Sequence, residues 1–149
     1  MGAYLSVMLS VLALLSAGGL AIWNVVRIGK LDDILDKHKL TDAKEDAKKS
    51  KNYNIGIAVL GILMGLLIFF LKYEYSVFLA LLISILSLGG AGVLSYMATD
   101  KLGDVDDVLK KKDKDDHQKG LDIKKTNVVM SSILFGTAVT SIVLTIFLA

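Results

Sequence analysis

The residues best suited to chemistry lie in a short charged run from Asp113 to His117, DKDDH, with Gly120 shortly after it. Clustered carboxylates suit a Ca²⁺ ion, but an EF-hand also needs oxygen ligands later in its loop and a closing Glu. Both are missing here, and a lysine interrupts the carboxylates. We therefore interpret the run as a solvated charged segment and predict no metal site.

The other charged motifs are equally weak as binding sites. His38 and His117 occupy comparable positions in two charged segments, but no further ligands lie at metal-binding spacing, so we expect both to be exposed. The tract Lys110–Lys112 could contact phosphate, yet neighbouring aspartates cancel its field. The sequence therefore predicts no nucleic-acid partner.

Groups that could catalyse a reaction are also missing from the apolar parts of the chain. Four long stretches contain no Asp, Glu, Lys, Arg or His, although proton relays and ion paths in membranes depend on such groups. Cysteine is absent, and no motif places a nucleophile beside a base. We predict a non-enzymatic protein with no cofactor and no small-molecule substrate, and a proton-coupled transporter is disfavoured.

The elements that position these groups follow from the uncharged stretches, residues 2–26, 52–71, 75–99 and 126–149. Each stretch is long enough to cross a bilayer as a helix. We predict an all-α membrane protein, a single domain of residues 1–149 in which four transmembrane helices form an up-down bundle. Two charged connections, residues 27–51 and 100–125, join the spans of each hairpin.

Basic residues give the predicted orientation. All of the 17 lysines and arginines except Lys72 lie in the two charged connections. The positive-inside rule places both connections in the cytoplasm and both termini on the opposite side, in a multi-pass topology.

Aromatic residues indicate the depth of the spans, because Trp and Tyr prefer the two headgroup levels of a bilayer. Pairs of them at the ends of three spans are each separated by roughly 30 Å along a helix, which is the thickness of the hydrocarbon core. The outer members of this interfacial belt are Tyr4, Tyr73 and Tyr75, and the inner members are Trp23, Tyr53 and Tyr96.

The chain also contains two similar segments. Residues 16–34 match residues 87–105 at a constant offset, with Ser-x-Gly-Gly followed by Lys-Leu in both. This match predicts an internal duplication, with a first hairpin repeat at residues 1–71 and a second at residues 72–149. Because both repeats would have the same orientation, they would be parallel repeats related by an axis along the membrane normal.

Apolar residues recur at helical spacing in both charged connections, so we expect the first and third spans to continue as helices beyond the membrane. The stripes of the two hairpins are expected to pack together and comprise Ile28, Leu31, Leu35, Leu102, Val105 and Leu109. Asp42 is predicted to cap one returning helix and Gly120 to interrupt the other. The charged hairpins then either protrude by roughly 15 Å or lie flat among the headgroups.

Small residues recur four apart within every span and predict close helix packing. These ladders comprise Gly61, Gly65, Ala13, Ala17, Ala21, Ser87, Ala91, Ser95, Ser132, Gly136 and Thr140. These residues would pack helices together within the monomer, and any ladder not used there could pack against another copy in a homo-oligomer.

Two functions agree with these features. The first is a structural or scaffolding membrane protein of a larger assembly, such as a membrane-containing virion, with lipids around its spans and protein partners on its charged hairpins. The second is a small oligomeric channel or permeation module lined by the Ser and Thr residues of the fourth span. Missing intramembrane charge favours the scaffold.

Overall fold

The computed structural model describes residues 2–74 and 76–147, with the side chains of residues 72–74 left outside the description. Within these residues lie four α-helices: α1 (Gly2–Lys37), α2 (Thr41–Glu74), α3 (Val77–Lys110) and α4 (Lys114–Phe147). All four are long enough and apolar enough to cross a membrane, which confirms that prediction.

Each helix combines an apolar part with a charged part, so the charged connections are helical, as predicted. A 34-residue helix such as α2 is about 51 Å long at 1.5 Å per residue. The hydrocarbon core of a bilayer is about 30 Å thick, so each helix has excess length, and the charge is concentrated in that excess.

Helix α1 packs against α2, α3 and α4, and α3 also packs against α2 and α4. Within the described part of the chain α2 and α4 do not contact each other, so they lie at opposite corners. Leu15 of α1 lies against Gly65 of α2, and Asn24 bonds to Asn54. Residue numbers therefore rise along α1 as they fall along α2, and contacts between α1 and α4 show the same reversal.

Buried apolar side chains fill the space between the uncharged parts of the helices. We call this group the apolar cluster, and its fully buried members from the four helices include Val7, Leu14, Ala17, Ile57, Leu88, Met130 and Leu134. Large apolar side chains on the opposite faces are exposed, among them Leu12, Leu63, Phe70, Leu86 and Val139. An exposed apolar surface of this extent is typical of helices that face lipid.

A second buried cluster lies among the charged parts of the helices. This charged-end cluster is formed by Ile28, Leu31, Leu35, Ala43, Ala47, Leu102, Val105, Leu109 and Ile123. It contains the whole predicted hairpin stripe, and every helix contributes to it. Burial of these side chains holds the two charged hairpins together as one unit.

The turn between α1 and α2 is a Schellman motif. The Leu40 N–H donates to the Leu35 carbonyl (3.0 Å), and the Lys39 N–H donates to the Asp36 carbonyl (3.1 Å). Lys39 has a φ of 58°, the left-handed conformation that this motif requires at the residue after the helix cap. Leu40 packs on the charged-end cluster, which supplies the hydrophobic contact that accompanies this motif.

The prediction that Asp42 caps α2 is wrong. Helix α2 begins at Thr41, and the carbonyl of Leu40 accepts the first helical hydrogen bond, from the Lys44 N–H at 3.0 Å. Asp42 therefore lies in the first turn, where its charge still favours the positive end of the helix dipole. The Schellman motif leaves Leu40 packed on the cluster, and α2 begins directly after it.

The turn between α3 and α4 uses a carboxylate instead. The Asp113 side chain accepts hydrogen bonds from the N–H groups of Asp115 (2.8 Å) and Asp116 (3.4 Å). These backbone hydrogen bonds stabilise the ionised form and lower the pKa of Asp113. Asp113 is therefore the N-cap of α4.

The predicted interruption at Gly120 is wrong, because α4 is continuous from Lys114 to Phe147. Gly120 is buried inside the helix, where an added Cβ would lie 3.5 Å from Cδ1 of Leu109. That distance is an ordinary van der Waals contact, and α4 packs on α3 and continues through the glycine despite its poor helix propensity.

Candidate interaction surface at the charged end

Two histidine–carboxylate pairs connect the helices at the charged end. Nε2 of His38 lies 2.8 Å from Oδ2 of Asp116, and Nδ1 of His117 lies 2.7 Å from Oδ1 of Asp106. The His38 side chain is only 19% exposed and that of His117 only 21%. The expectation that both histidines are exposed is therefore wrong, because each one packs against a carboxylate of another segment.

The His38 pair joins the two hairpins, since His38 follows α1 and Asp116 belongs to α4. The His117 pair joins α4 to α3. Each contact is an ion pair when the imidazole is protonated and a contact between a neutral ring and a carboxylate otherwise. These pairs tie the outer end of the charged-end cluster together.

A layer of buried polar side chains separates the apolar cluster from the charged-end cluster. Its members are all 0% exposed and comprise Asn24, Ser50, Asn54, Ser95 and Asn127. The Asn24 Nδ2 donates to the Asn54 Oδ1 (3.4 Å), and the Ser95 Oγ donates to the Asn127 carbonyl (2.7 Å). Since these side chains bond to one another or to nearby backbone carbonyls, the layer sets the register of the helices rather than forming a reactive site.

Arg27 connects this layer to the surface. Its Nη2 donates to the Asn24 Oδ1 at 2.7 Å and to the Thr126 Oγ1, which links α1 to α4. Its Cζ lies 4.1 Å from the ring centroid of Trp23, a cation–π contact. In the sequence, Arg27 was used only as one of the basic residues that predict the membrane orientation. The spacing of four residues from Trp23 was the signal for this contact.

Three of the grooves at the charged end differ in their chemistry. The α1–α4 cleft has a volume of about 270 Å³ and is lined by Trp23, Arg27, Lys30, Leu31, Ile34, Lys119, Asp122 and Ile123. The basic groove lies between α1 and α2, measures about 480 Å³ and is lined by Asp32, Thr41, Lys44, Glu45, Lys48, Lys51, Asn52 and Ile55. The acidic groove lies between α3 and α4, measures about 360 Å³ and is lined by Tyr96, Thr99, Asp100, Gly103, Asp104, Asp107 and Lys124. Helices at the charged end thus present opposite charges on different sides.

The predicted packing residues separate into two groups. Buried between helices are Ala13, Ala17, Ala21, Gly61, Gly65, Ser87, Ala91 and Ser95. An added Cβ at Gly61 would lie 2.6 Å from the Leu14 carbonyl, so α1 and α2 cross there at close range. In contrast, Ser132, Gly136 and Thr140 of α4 are exposed and do not form an internal packing ladder.

The predicted aromatic belt is only partly described. Tyr4, Trp23 and Tyr96 are more than half exposed, and Tyr53 is half-buried. Tyr75 and the side chain of Tyr73 lie outside the described residues.

The polar residues of α4 that suit a pore do not share one surface. Ser141 is buried, and its carbonyl accepts a hydrogen bond from the Ser6 Oγ at 3.1 Å. Ser132 and Thr140 are exposed, and with Thr137 and Gly136 they line a shallow groove beside Leu9. The buried Ser141 therefore joins α1 to α4, and only the exposed polar residues of α4 could line a surface.

Across residues 2–74 and 76–147, no cluster of three or more His, Asp or Glu side chains could hold a metal ion. Comparison with protein-family models finds no match, and neither do comparisons with curated proteins and with solved structures.

Proposed function

We propose that this chain is a non-enzymatic, multi-pass structural or scaffolding membrane protein that binds other proteins through its charged end. The observation that carries the proposal is the charged-end cluster, in which all four helices bury apolar residues outside the uncharged stretches. A chain that needed only to anchor itself in lipid would not need this cluster. A packed charged end presents its grooves at fixed positions, as a docking surface requires.

The proposed topology is an up-down bundle whose charged end lies in the cytoplasm. Its support is the basic residues, all of which except Lys72 lie in the charged connections, residues 27–51 and 100–125. The helix lengths agree, because each helix has about 20 Å beyond the hydrocarbon core. A partner at the cytoplasmic face of a virion or organelle membrane would meet these hairpins first.

The proposed duplication of the two hairpins is supported by the polar layer. Helices α2 and α4 both contain 34 residues, with Asn54 and Asn127 at the fourteenth position of each. Their partners, Asn24 and Ser95, are 71 residues apart, the same offset that relates the two Ser-x-Gly-Gly segments. Each hairpin therefore has a polar pair at the same depth.

Partner binding at the basic and acidic grooves would depend on charge and therefore on salt, since exposed charges are screened over about 8–10 Å at physiological ionic strength. A test is a native pull-down in mild detergent from the membranes in which the protein normally resides. The variant Asp100→Asn/Asp104→Asn/Asp107→Asn removes the three carboxylates of the acidic groove. It should lose the partner, and high salt should release the partner from the unaltered protein.

The matched control is Asp33→Asn/Asp42→Asn/Asp115→Asn, which removes three exposed charges elsewhere at the charged end. This control should retain the partner. Equal loss in both triple variants would mean that only net charge matters, and no stable partner under any salt condition would contradict the scaffold.

A small oligomeric channel is the second candidate. The observation that favours it is the exposed groove of Ser132, Gly136, Thr137 and Thr140 on α4, because small and polar side chains suit contacts between helices or a pore wall. The apolar cluster fills the centre of the monomer, so the pore would have to form between copies. Selective ion flux through liposomes containing the purified protein would favour the channel over the scaffold.

A further inference from the structure

The α1–α4 cleft concentrates positive charge above an apolar floor. Arg27 and Lys30 of α1 and Lys119 of α4 line it, with Asp122 as the one acidic residue among its lining side chains. Trp23 lies in the same lining. Three cations against one carboxylate leave a net positive site that suits an anionic group.

Arg27 is held in place by the protein itself. The Trp23 ring supports one side of the guanidinium, and Nη2 is fixed by its bonds to Asn24 and Thr126. Nε of Arg27 is buried and has no hydrogen-bond acceptor within the described part of the chain. A fixed guanidinium with unused donor capacity is well suited to phosphate oxygens.

The depth of the cleft favours a lipid over a soluble phosphate. Trp23 is 55% exposed and Val26 is 53% exposed, and both lie at the end of the uncharged part of α1 that meets the charged part. Aromatic residues prefer the headgroup level of a bilayer, and basic residues next to a span attract anionic lipids. A headgroup beside Arg27 would leave its acyl chains along the exposed apolar surface of α1.

From these observations we propose that the α1–α4 cleft binds the phosphate headgroup of an anionic phospholipid, with Arg27, Lys30 and Lys119 as its cationic contacts and Trp23 at its lipid-facing edge. This inference rests on the membrane placement proposed above. The basic groove suits this ligand less well, because Asp32 and Glu45 oppose its three lysines and none of the described residues that line it is aromatic.

Trp23 provides the measurement, because it is the only tryptophan of the chain. The full-length protein is reconstituted in phosphatidylcholine vesicles that contain a small fraction of either phosphatidylglycerol or phosphatidylcholine with brominated acyl chains. Brominated phosphatidylglycerol should quench Trp23 fluorescence at a lower fraction than brominated phosphatidylcholine does. That preference measures selective occupation of the cleft.

The test variant is Lys30→Gln/Lys119→Gln, whose positions are both exposed. It should reduce the preference for phosphatidylglycerol by about fivefold for each lysine removed. The control, Lys111→Gln/Lys125→Gln, removes the same charge at exposed positions outside the cleft and should keep the preference. An equal reduction in both variants would overturn the site, because it would show only general attraction to the surface.

The remaining outcomes separate the site from the membrane placement. Equal quenching by the two brominated lipids overturns the headgroup site alone. No quenching by either lipid overturns the membrane placement as well. Competition by millimolar glycerol phosphate or inorganic phosphate would show a soluble-phosphate site and overturn the lipid assignment, whereas no competition supports it.

Discussion

The α1–α2 and α3–α4 hairpins have helices of similar length, but their outer grooves carry opposite charges. Three lysines line the basic groove against two carboxylates, whereas three aspartates line the acidic groove against Lys124. Both hairpins nevertheless bury apolar residues in the same charged-end cluster. The comparison shows that buried residues set the common architecture, while exposed residues vary between the hairpins.

The hairpins also differ in how closely their helices approach. Helices α1 and α2 cross at Gly18 and Gly61, where a Cβ added to Gly61 would lie 3.3 Å from the Gly18 Cα and 2.6 Å from the Leu14 carbonyl oxygen. In the second hairpin, Gly92 of α3 accommodates the ring of Phe135 instead, which lies 2.8 Å from an added Cβ. The first hairpin is held by contact between backbones and the second by a side chain packed against a glycine.

The largest expected effect tests whether both hairpins build the charged end. Leu31→Ala and Leu102→Ala should each lower the free energy of unfolding by about 2–5 kcal/mol, because both side chains are only 1% exposed. Unfolding in mixed micelles, followed by helicity, measures this change. Leu12→Ala, at a position 59% exposed, is the control and should have little effect. A large loss for only one of the two leucines would show that one hairpin folds the charged end alone.

The next effect tests the close crossing of the first hairpin. Gly61→Ala should lower the free energy of unfolding by about 1–3 kcal/mol, because the new Cβ would lie 2.6 Å from the Leu14 carbonyl. The same unfolding measurement applies. Gly89→Ala in the second hairpin should be neutral or stabilising, since an added Cβ there meets no atom of the described residues within 4 Å. Similar behaviour of the two variants would remove the distinction between the hairpins.

A smaller effect of opposite sign separates the two turns. Lys39→Gly should raise the free energy of unfolding by about 1 kcal/mol, because glycine adopts positive φ without steric cost and Lys39 has a φ of 58°. Lys111, the C-cap of α3, has a φ of −82°, so Lys111→Gly should give no gain. The midpoint of thermal unfolding measures both variants. A gain for Lys111→Gly would contradict this account of the turns.

The smallest expected effect is the loss of stability at low pH through the N-cap Asp113. The pKa of Asp113 lies below its ordinary value of about 3.9, so its cap stabilises α4 above that value and is lost as pH falls through the lower pKa of the folded state. Asp113→Asn retains an N-cap without a charge that titrates. The difference in unfolding midpoint between the original protein and this variant should therefore change below about pH 4. An identical pH dependence of unfolding in the original protein and in Asp113→Asn would contradict this account of the cap.

Much of the architecture could be predicted from local patterns. Helix type, the apolar stretches and the stripe from Ile28 to Leu35 depend on hydropathy and period, which neighbouring residues determine. The errors occurred at Asp42 and Gly120, because α2 begins at Thr41 directly after the Schellman motif and because α4, packed on α3, continues through the glycine. Local propensity is a weak guide where a tertiary contact competes with it.

The candidate site was less predictable, because its members are distant in sequence. His38 and Asp116 are 78 residues apart, and Arg27 and Thr126 are 99 residues apart. The second charged connection contains many aspartates, and the sequence does not show which of them pairs with a histidine. Only the rotation of each helix about its axis decides which of them faces it.

By itself the sequence determined four long helices, their apolar and charged parts, and the stripe that joins the hairpins, because these follow from periodicity and from the cost of burying charge. Tertiary structure alone decided the partners of the histidines, the position of Arg27 between α1 and α4, and the exposed face of Ser132, Gly136 and Thr140. Those outcomes depend on how the helices rotate and pack against one another. The packing energy that decides this is gained only when residues distant in sequence come into contact.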